Sequence, residues 1–271
     1  MSWRAPVTKP LPWNFISAAT YFLAAVACYI AFVLLQLGQQ IDAAALGANF
    51  LHMPVELQLR IFGVLRTGSI AVFSVIAVVL GVVALIRGQW RLVMVTFLCS
   101  VLAAGGATLL RRVLWRPELG VESYDYNTWP SGHVAALCVL VLVCLRLVPQ
   151  KNRWRWPVAV MAVVTVTAAS YASMATFAHR PSDTFGGILI AGAVFALTRP
   201  RRKTSYAVRW GLLVASVAGA ASLVMLVFPN VFIPGDPRAA LAVGALFGMF
   251  AAACWVLLPE SAPGYDKSSR N

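Results

Sequence analysis

Eight stretches of this chain are predominantly apolar, and most reach the roughly 20 residues that an α-helix needs to cross a bilayer. They lie at residues 13–37, 67–86, 92–110, 133–149, 157–177, 184–198, 208–228 and 239–258. The chain is 60% hydrophobic and only 11% charged, whereas soluble domains carry about 25% charged residues. The pattern predicts an all-α, polytopic transmembrane helical bundle, in which residues 1–271 form one integral membrane domain. It excludes a cytosolic enzyme and a secreted disulfide scaffold.

The net charge of +13 comes from Lys and Arg residues that cluster between the apolar stretches. This placement excludes nucleic acid as a partner and leaves the membrane bilayer. Because cytoplasmic loops are rich in Lys and Arg, both termini are predicted to lie in the cytoplasm. The loops predicted on the opposite side are 38–66, 111–132, 178–183 and 229–238. An excess of Arg over Lys, with abundant Ala and Val, favours a bacterial protein of the inner (plasma) membrane.

Two segments lack the character of a membrane span. Residues 41–65 are too polar, and too interrupted by Pro54, to cross the bilayer. They are expected to form either an amphipathic helix at the membrane interface or a plain extracytoplasmic loop. Residues 259–271 are predicted to form a flexible tail.

Two of the three histidines stand where predicted loops meet apolar stretches, on one side of the membrane. His133 ends the sequence Trp-Pro-Ser-Gly-His, and His179 begins His-Arg-Pro-Ser-Asp. Asp183 follows His179 by four residues, so on a helix or tight turn its carboxylate can reach one imidazole nitrogen. Such a carboxylate fixes the tautomer and leaves the other nitrogen free to attack. The alternative is an aspartate that only caps the following helix.

Two further groups suit an anion. The Ser131 hydroxyl and the Gly132 amide precede an apolar stretch, where a helix N-terminus favours negative charge. Arg111, Arg112 and Arg116 cluster on the side predicted to be poor in arginine, and guanidinium groups match phosphate oxygens. The simpler alternatives are a common turn and a basic membrane flank. With the two histidines, these groups predict phosphoryl transfer that uses cationic ligands, a nucleophile and a general acid.

The three motifs together resemble the signature of the type 2 phosphatidic acid phosphatase (PAP2) superfamily, which includes lipid phosphatases and vanadium haloperoxidases. That signature reads K-x6-R-P, then P-S-G-H, then S-R-x5-H-x3-D. Arg116-Pro117, Pro130–His133, and His179 with Asp183 match it. The resemblance implies a catalytic core of the family type over residues 67–198 within a six-helix bundle. Residues 199–258 would then add two C-terminal transmembrane helices.

The resemblance also implies a role for each matching residue. His179 would be the nucleophile that forms a phosphohistidine, and Asp183 would orient it. His133 would protonate the leaving oxygen. The phosphoryl oxygens would be held by Arg116, Ser131 and the amide of Gly132. No metal and no other cofactor is implied.

The sequence departs from the signature at two cationic positions. Leu109 stands at the position of the first-motif Lys, and Ala172-Ser173 stands at the position of the third-motif Ser-Arg. Both missing cations bind phosphate in the family. Arg111 or Arg112 is expected to replace the Lys from one turn away, and Arg180 to replace the Arg.

These observations predict a membrane lipid phosphatase with its active site at the extracytoplasmic face. The expected partner is a lipid phosphate substrate of the polyprenyl diphosphate, phosphatidylglycerophosphate or phosphatidic acid type. One alternative is a lipid phosphotransferase that uses the same histidine. Another is a non-catalytic lipid-binding or transport descendant of the fold. The sequence indicates no oligomeric state.

Overall fold

The computed structural model describes residues 13–44, 46, 53–121, 126–147 and 155–198, and all regular structure among them is helical. Helix α1 (Trp13–Tyr29) continues as a π-helical segment (Ile30–Leu34). The others are α2 (Gln36–Ala44), α3 (Val55–Ile86), α4 (Trp90–Val113), α5 (Gly132–Leu147), α6 (Arg155–Ala175) and α7 (Pro181–Leu197). The all-α prediction is confirmed. The two C-terminal helices and the tail predicted beyond residue 198 lie outside the described residues.

Within the described part of the chain, three helical segments are long and apolar enough to cross a membrane: Asn14–Leu34, Val55–Ile86 and Trp90–Val113. Shorter apolar helices lie at Gly132–Leu147, Val163–Ala175 and Pro181–Leu197. The long helices expose many apolar side chains, such as Val75 and Phe97, whereas most of α5 and α7 is buried. Exposed apolar faces of this length fit a lipid environment, so the helices indicate an integral membrane protein.

The second half of residues 41–65 is neither a loop nor a separate interfacial helix, because it forms the first turns of α3, which begins at Val55. Pro54 directly precedes α3. A proline is tolerated there because no hydrogen bond within the helix needs its missing N–H. Glu56 lies in the first turn, where the helix dipole favours a negative charge. Gln58 is buried, but its side-chain amide donates to the carbonyl of Ala175 at 2.7 Å. The polar residues thus have partners that sequence alone does not display.

Helix α5 lies at the centre of the described bundle and packs against α3, α4, α6 and α7, while α1 packs along α7. The core includes Leu137 and Val141 of α5 and Ile188 of α7, which are all fully buried. This arrangement brings the starts of α5 and α7 to one end of the bundle. The ends of α4 and α6 lie there as well.

Two adjacent glycines let α7 approach the loop before α5. A Cβ at Gly187 would lie 2.7 Å from the carbonyl oxygen of Ser131 and 3.0 Å from the amide of Ala135. A Cβ at Gly186 would collide with the indole nitrogen of Trp129. Glycine is required here because the two backbones meet with no room for a side chain. This contact holds α7 against the first turn of α5, which carries His133.

Helix α2 turns back along the π-helical end of α1. The turn depends on Gly38, because a Cβ there would overlap the carbonyl of Ala31. Gln39 fixes the turn, since its side-chain amide donates to the carbonyls of Val33 at 2.7 Å and Pro117 at 2.9 Å. The turn directs Asp42 into the bundle, where it is 1% exposed.

Candidate active site

The buried pair of His179 and Asp183 forms the centre of the site. His179 lies between α6 and α7, and Asp183 lies in the first turn of α7. The Nδ1 atom of His179 is 3.6 Å from Oδ2 of Asp183, and both side chains are almost fully buried. This distance exceeds a hydrogen bond, but it is close enough for the carboxylate to stabilise a positive charge on the ring. The other ring nitrogen, Nε2, faces away from the carboxylate.

Asp183 is held by two hydrogen bonds besides its contact with His179. The Thr128 hydroxyl donates to Oδ2 at 2.6 Å, and the backbone N–H of Arg180 donates to the same oxygen at 2.9 Å. The second bond is the helix-capping interaction expected as the simple alternative. Asp183 therefore caps α7 and contacts His179 at the same time. Sequence analysis missed Thr128, which no motif marks.

His133 faces His179 from the first turn of α5. Their ring centroids are 5.9 Å apart, with an angle of 57° between the planes. His133 is exposed, whereas His179 is 3% exposed. The structure thus brings both predicted histidines together, with one ring open to the surroundings and the other enclosed.

Ser131 caps α5 in this structure. Its hydroxyl accepts the backbone N–H of Val134 at 3.3 Å, and its own N–H donates to the carbonyl of Asp183 at 2.7 Å. Gly132, the first residue of α5, is half-buried. These contacts tie the second motif to the third, while phosphate binding by Ser131 and Gly132 stays a prediction.

The remaining predicted ligands are arginines, and the structure distributes them around the site. Arg116 is buried, and its charge acts on the Tyr29 hydroxyl. Arg111, in the last turn of α4, is exposed, and its charge acts on His133. Arg112 is also exposed, one residue further around the same helix. The charge of Arg111, one of the two proposed replacements for the missing Lys, thus acts on a histidine of the site.

Arg180 is 1% exposed, and its charge acts on a carboxylate that sequence analysis missed, Asp42. Asp42 accepts the Ser182 backbone N–H at 2.9 Å and the Ser182 hydroxyl at 2.5 Å. Burial and the neighbouring Asp183 carboxylate raise the pKa of Asp42 to about 7, against the lowering effect of Ser182 and Arg180. The only available signal was an acidic residue beside an apolar stretch, which is costly unless it has a partner.

All three motifs thus converge at one end of the bundle. Residues 95–206 match the family model of the PAP2 superfamily. This match confirms the resemblance found from the motifs. Neither the curated proteins nor the solved structures contain a match to the chain.

The PAP2 match supports, at the level of the family, an enzyme with phosphatase activity on phosphate esters. It includes His133, His179, Asp183 and Arg116, together with both positions at which the chain departs from the signature. Among the described residues, no group of three or more His, Cys, Asp or Glu side chains is placed to hold a metal ion.

The two departures from the PAP2 signature have different surroundings. Leu109 is 62% exposed on α4, where an apolar side chain suits a lipid-facing surface. Ser173 is fully buried in α6, and its hydroxyl donates to the carbonyl of Ala169 at 2.9 Å. A cation does reach this second region from another helix: Arg66 of α3 donates from Nη1 to the Thr176 hydroxyl at 3.4 Å. Arg66 was missed because it is the last residue of the predicted loop 38–66 and belongs to no motif.

Proposed function

We propose that this protein is a membrane lipid phosphatase that cleaves a lipid phosphate or diphosphate through a phosphohistidine on His179. The observation that carries the proposal is the buried His179–Asp183 pair with His133 opposite it. This reaction requires a nucleophile, a carboxylate that orients it, and a second histidine that donates a proton to the leaving oxygen.

The first step forms a bond between Nε2 of His179 and phosphorus and breaks the bond between phosphorus and the leaving oxygen. Asp183 faces Nδ1, so it favours the tautomer with a proton on Nδ1 and an electron pair on Nε2. As the ring becomes positive, the buried carboxylate stabilises it more strongly than a solvated one would. His133 gives its proton to the leaving oxygen, which departs as an alcohol or as a lipid monophosphate.

The second step releases phosphate. His133, now neutral, takes a proton from water, and the water oxygen attacks the phosphorus of the phosphohistidine. The P–N bond breaks, its electron pair returns to Nε2, and both histidines regain their starting states. The exposed position of His133 fits this step, because the attacking water must reach it.

A lipid is the substrate class that the surroundings favour. The site lies at the ends of apolar helices whose outer faces suit acyl chains, so a lipid tail can remain in the bilayer while its head group reaches His133. Trp115 and Tyr126 are exposed near the same end, as aromatic residues at a membrane interface often are. The distribution of Lys and Arg supports an extracytoplasmic position for this end and cytoplasmic termini. The excess of Arg over Lys, with abundant Ala and Val, supports a bacterial inner membrane.

The test is phosphate release by purified protein in detergent, without added metal. The panel contains a polyprenyl diphosphate, a polyprenyl phosphate, phosphatidylglycerophosphate and phosphatidic acid. We expect release from at least one lipid, and loss of that release in His179→Ala. The control is Arg60→Gln, an exposed change on α3, which should retain full activity. Equal activity in His179→Ala would contradict the mechanism.

The same preparation separates hydrolysis from transfer. A phosphotransferase would need an acceptor, so it would release little phosphate in water but form a new phosphate ester when an alcohol is added. Product analysis with and without glycerol distinguishes the two. Phosphate release that needs no alcohol would support the phosphatase.

The orientation of the site has its own test. Glu118 is exposed in the loop between α4 and α5. We expect Glu118→Cys to react with a membrane-impermeant maleimide added to intact cells. Reaction only after the membrane is opened would place the site on the cytoplasmic side.

A further inference from the structure

We propose that Arg66 of α3 binds the phosphoryl group in place of the missing third-motif arginine. This inference rests on the proposed function and assigns a ligand to the same site. It concerns a residue outside all three signature motifs and outside the residues 95–206 that match the family.

The first argument is that Arg66 lies next to the end of α6. The Nη1 atom of Arg66 is 3.4 Å from the Thr176 hydroxyl, directly after the end of α6. That hydroxyl also donates to the carbonyl of Ala172 at 2.7 Å and lies 3.4 Å from the carbonyl of Ser173. Arg66 therefore reaches the same helical turn in which the family places its arginine. The guanidinium arrives from α3 instead of from α6.

The second argument is charge. Arg66 and Arg111 both lie close enough to His133 for their charges to act on its ring. Arg66 is half-buried, its Nε atom is buried without a hydrogen-bond partner, and no carboxylate of the described residues forms an ion pair with it. A partly desolvated cation that lacks a counter-ion is costly, and a bound anion removes that cost.

The third argument is geometry. A guanidinium has five N–H donors in a planar fork that matches two phosphate oxygens. The hydrogen bond to Thr176 is long and uses one of these donors, so donors remain for an anion.

The experiment compares Arg66→Gln with Arg60→Gln, which removes the same charge from an exposed position six residues earlier on the same helix. Binding of inorganic phosphate is measured by titration calorimetry, and kcat/KM is measured with whichever lipid is hydrolysed. We expect Arg66→Gln to weaken phosphate binding and kcat/KM by roughly 10- to 100-fold, as for loss of a charge-assisted contact. Arg60→Gln should stay near wild type. Equal values for the two variants would overturn the inference.

A rescue experiment separates ligand binding from a structural role. Arg66→Ala leaves space for a free guanidinium ion, and millimolar guanidinium should restore part of the lost phosphate affinity. The same addition to Arg60→Ala should have no effect. Normal phosphate binding by folded Arg66→Ala would overturn the inference, and weakened binding that guanidinium does not restore would count against it.

Wild-type protein gives a readout that needs no variant. Phenylglyoxal modifies exposed guanidinium groups, and mass spectrometry locates the modified residues. We expect phosphate to protect Arg66 but not Arg60, and unchanged modification of Arg66 would refute the inference. If the wild type hydrolyses no lipid but phosphate still protects Arg66, the proposed function fails and the anion site stands. If Arg66→Gln hydrolyses lipid as fast as the wild type, the inference about Arg66 fails and the proposed function stands.

Discussion

The two sides of His179 differ in their access to the surroundings. On one side, Asp183, Thr128 and Asp42 are at most 2% exposed, and each has a fixed hydrogen bond. On the other side, His133 is exposed and Arg66 is half-buried. The closed side can hold a carboxylate in one geometry, because buried polar groups keep their partners. The open side is where a proton, water and a phosphate can arrive.

The largest loss of activity is expected when the closed side is changed at Asp183. Asp183→Asn keeps the size of the side chain and an acceptor for Thr128, but removes the charge that faces Nδ1. We expect kcat for phosphate release to fall about 10³- to 10⁴-fold, the size of the loss when a buried aspartate beside a catalytic histidine is neutralised. Asp42→Asn is the matched control, because it neutralises a buried carboxylate that does not face the imidazole. A loss of less than tenfold in Asp183→Asn would remove its role.

The next effect tests the open side. His133→Gln should lower kcat about 10²- to 10⁴-fold on a lipid monophosphate, because the leaving alkoxide then lacks a proton donor. With p-nitrophenyl phosphate, whose leaving group needs no proton, the loss should be at least tenfold smaller. Equal losses on both substrates would assign His133 to the phosphate oxygens instead of the leaving oxygen.

A smaller effect concerns the contact that holds the two sides together. Gly187→Ala places a methyl group against the backbone of Ser131, so we expect a loss of about 1–3 kcal/mol in the free energy of unfolding. Gly105→Ala on α4 is the control, because no atom lies within 4 Å of the added Cβ. That control should be neutral or stabilised by up to about 1 kcal/mol. Thermal unfolding in detergent measures both, and equal midpoints would show that the contact can relax.

The last prediction concerns the pH dependence of stability that Asp42 adds. Its pKa in the folded protein is raised to about 7, so between about pH 4 and pH 7 the folded state keeps a proton that the unfolded chain has lost. Stability from this group is therefore present at low pH and falls as pH rises through that window. The other ionisable groups of the described residues that act on the Asp42 carboxyl are Asp183, Arg180 and Cys28. They are present in both the wild type and Asp42→Asn, so they do not account for a difference between the two proteins.

We expect the stability of Asp42→Asn relative to wild type to rise steadily as the pH increases from about 4 to about 7. Unfolding midpoints of both proteins across that range give the comparison. A constant difference between the two proteins would mean that Asp42 does not titrate in this window.

The chemical motifs of the site were predictable because each is local in sequence. Four-residue spacing placed Asp183 near His179, and the Pro-Ser-Gly-His sequence placed His133 at a helix start. The structure brings these motifs together, while their catalytic roles stay predictions. The residues that were missed, Thr128, Asp42 and Arg66, belong to no motif.

The helix boundaries show the same limit. The apolar pattern located the core of α3 at residues 67–86 but not its first turns, because the polarity of residues 41–65 and Pro54 counted against a membrane span there. Two of the polar side chains in the first turns, Gln58 and Arg66, have partners on another part of the chain. Their partners, Ala175 and Thr176, lie more than a hundred residues away in sequence. Polarity in a sequence counts against a membrane helix, whereas a hydrogen bond from another helix removes that cost.

The sequence by itself determined the helical membrane architecture and the residue types of the site. Both depend on local properties: the length of an apolar stretch and the spacing of chemical groups along one chain. Only the tertiary structure decided which groups meet, such as Asp42 with Ser182, Arg66 with Thr176, and α7 with the loop before α5 at Gly187. These contacts depend on how closely helices distant in sequence can approach, which steric fit and burial of polar groups control.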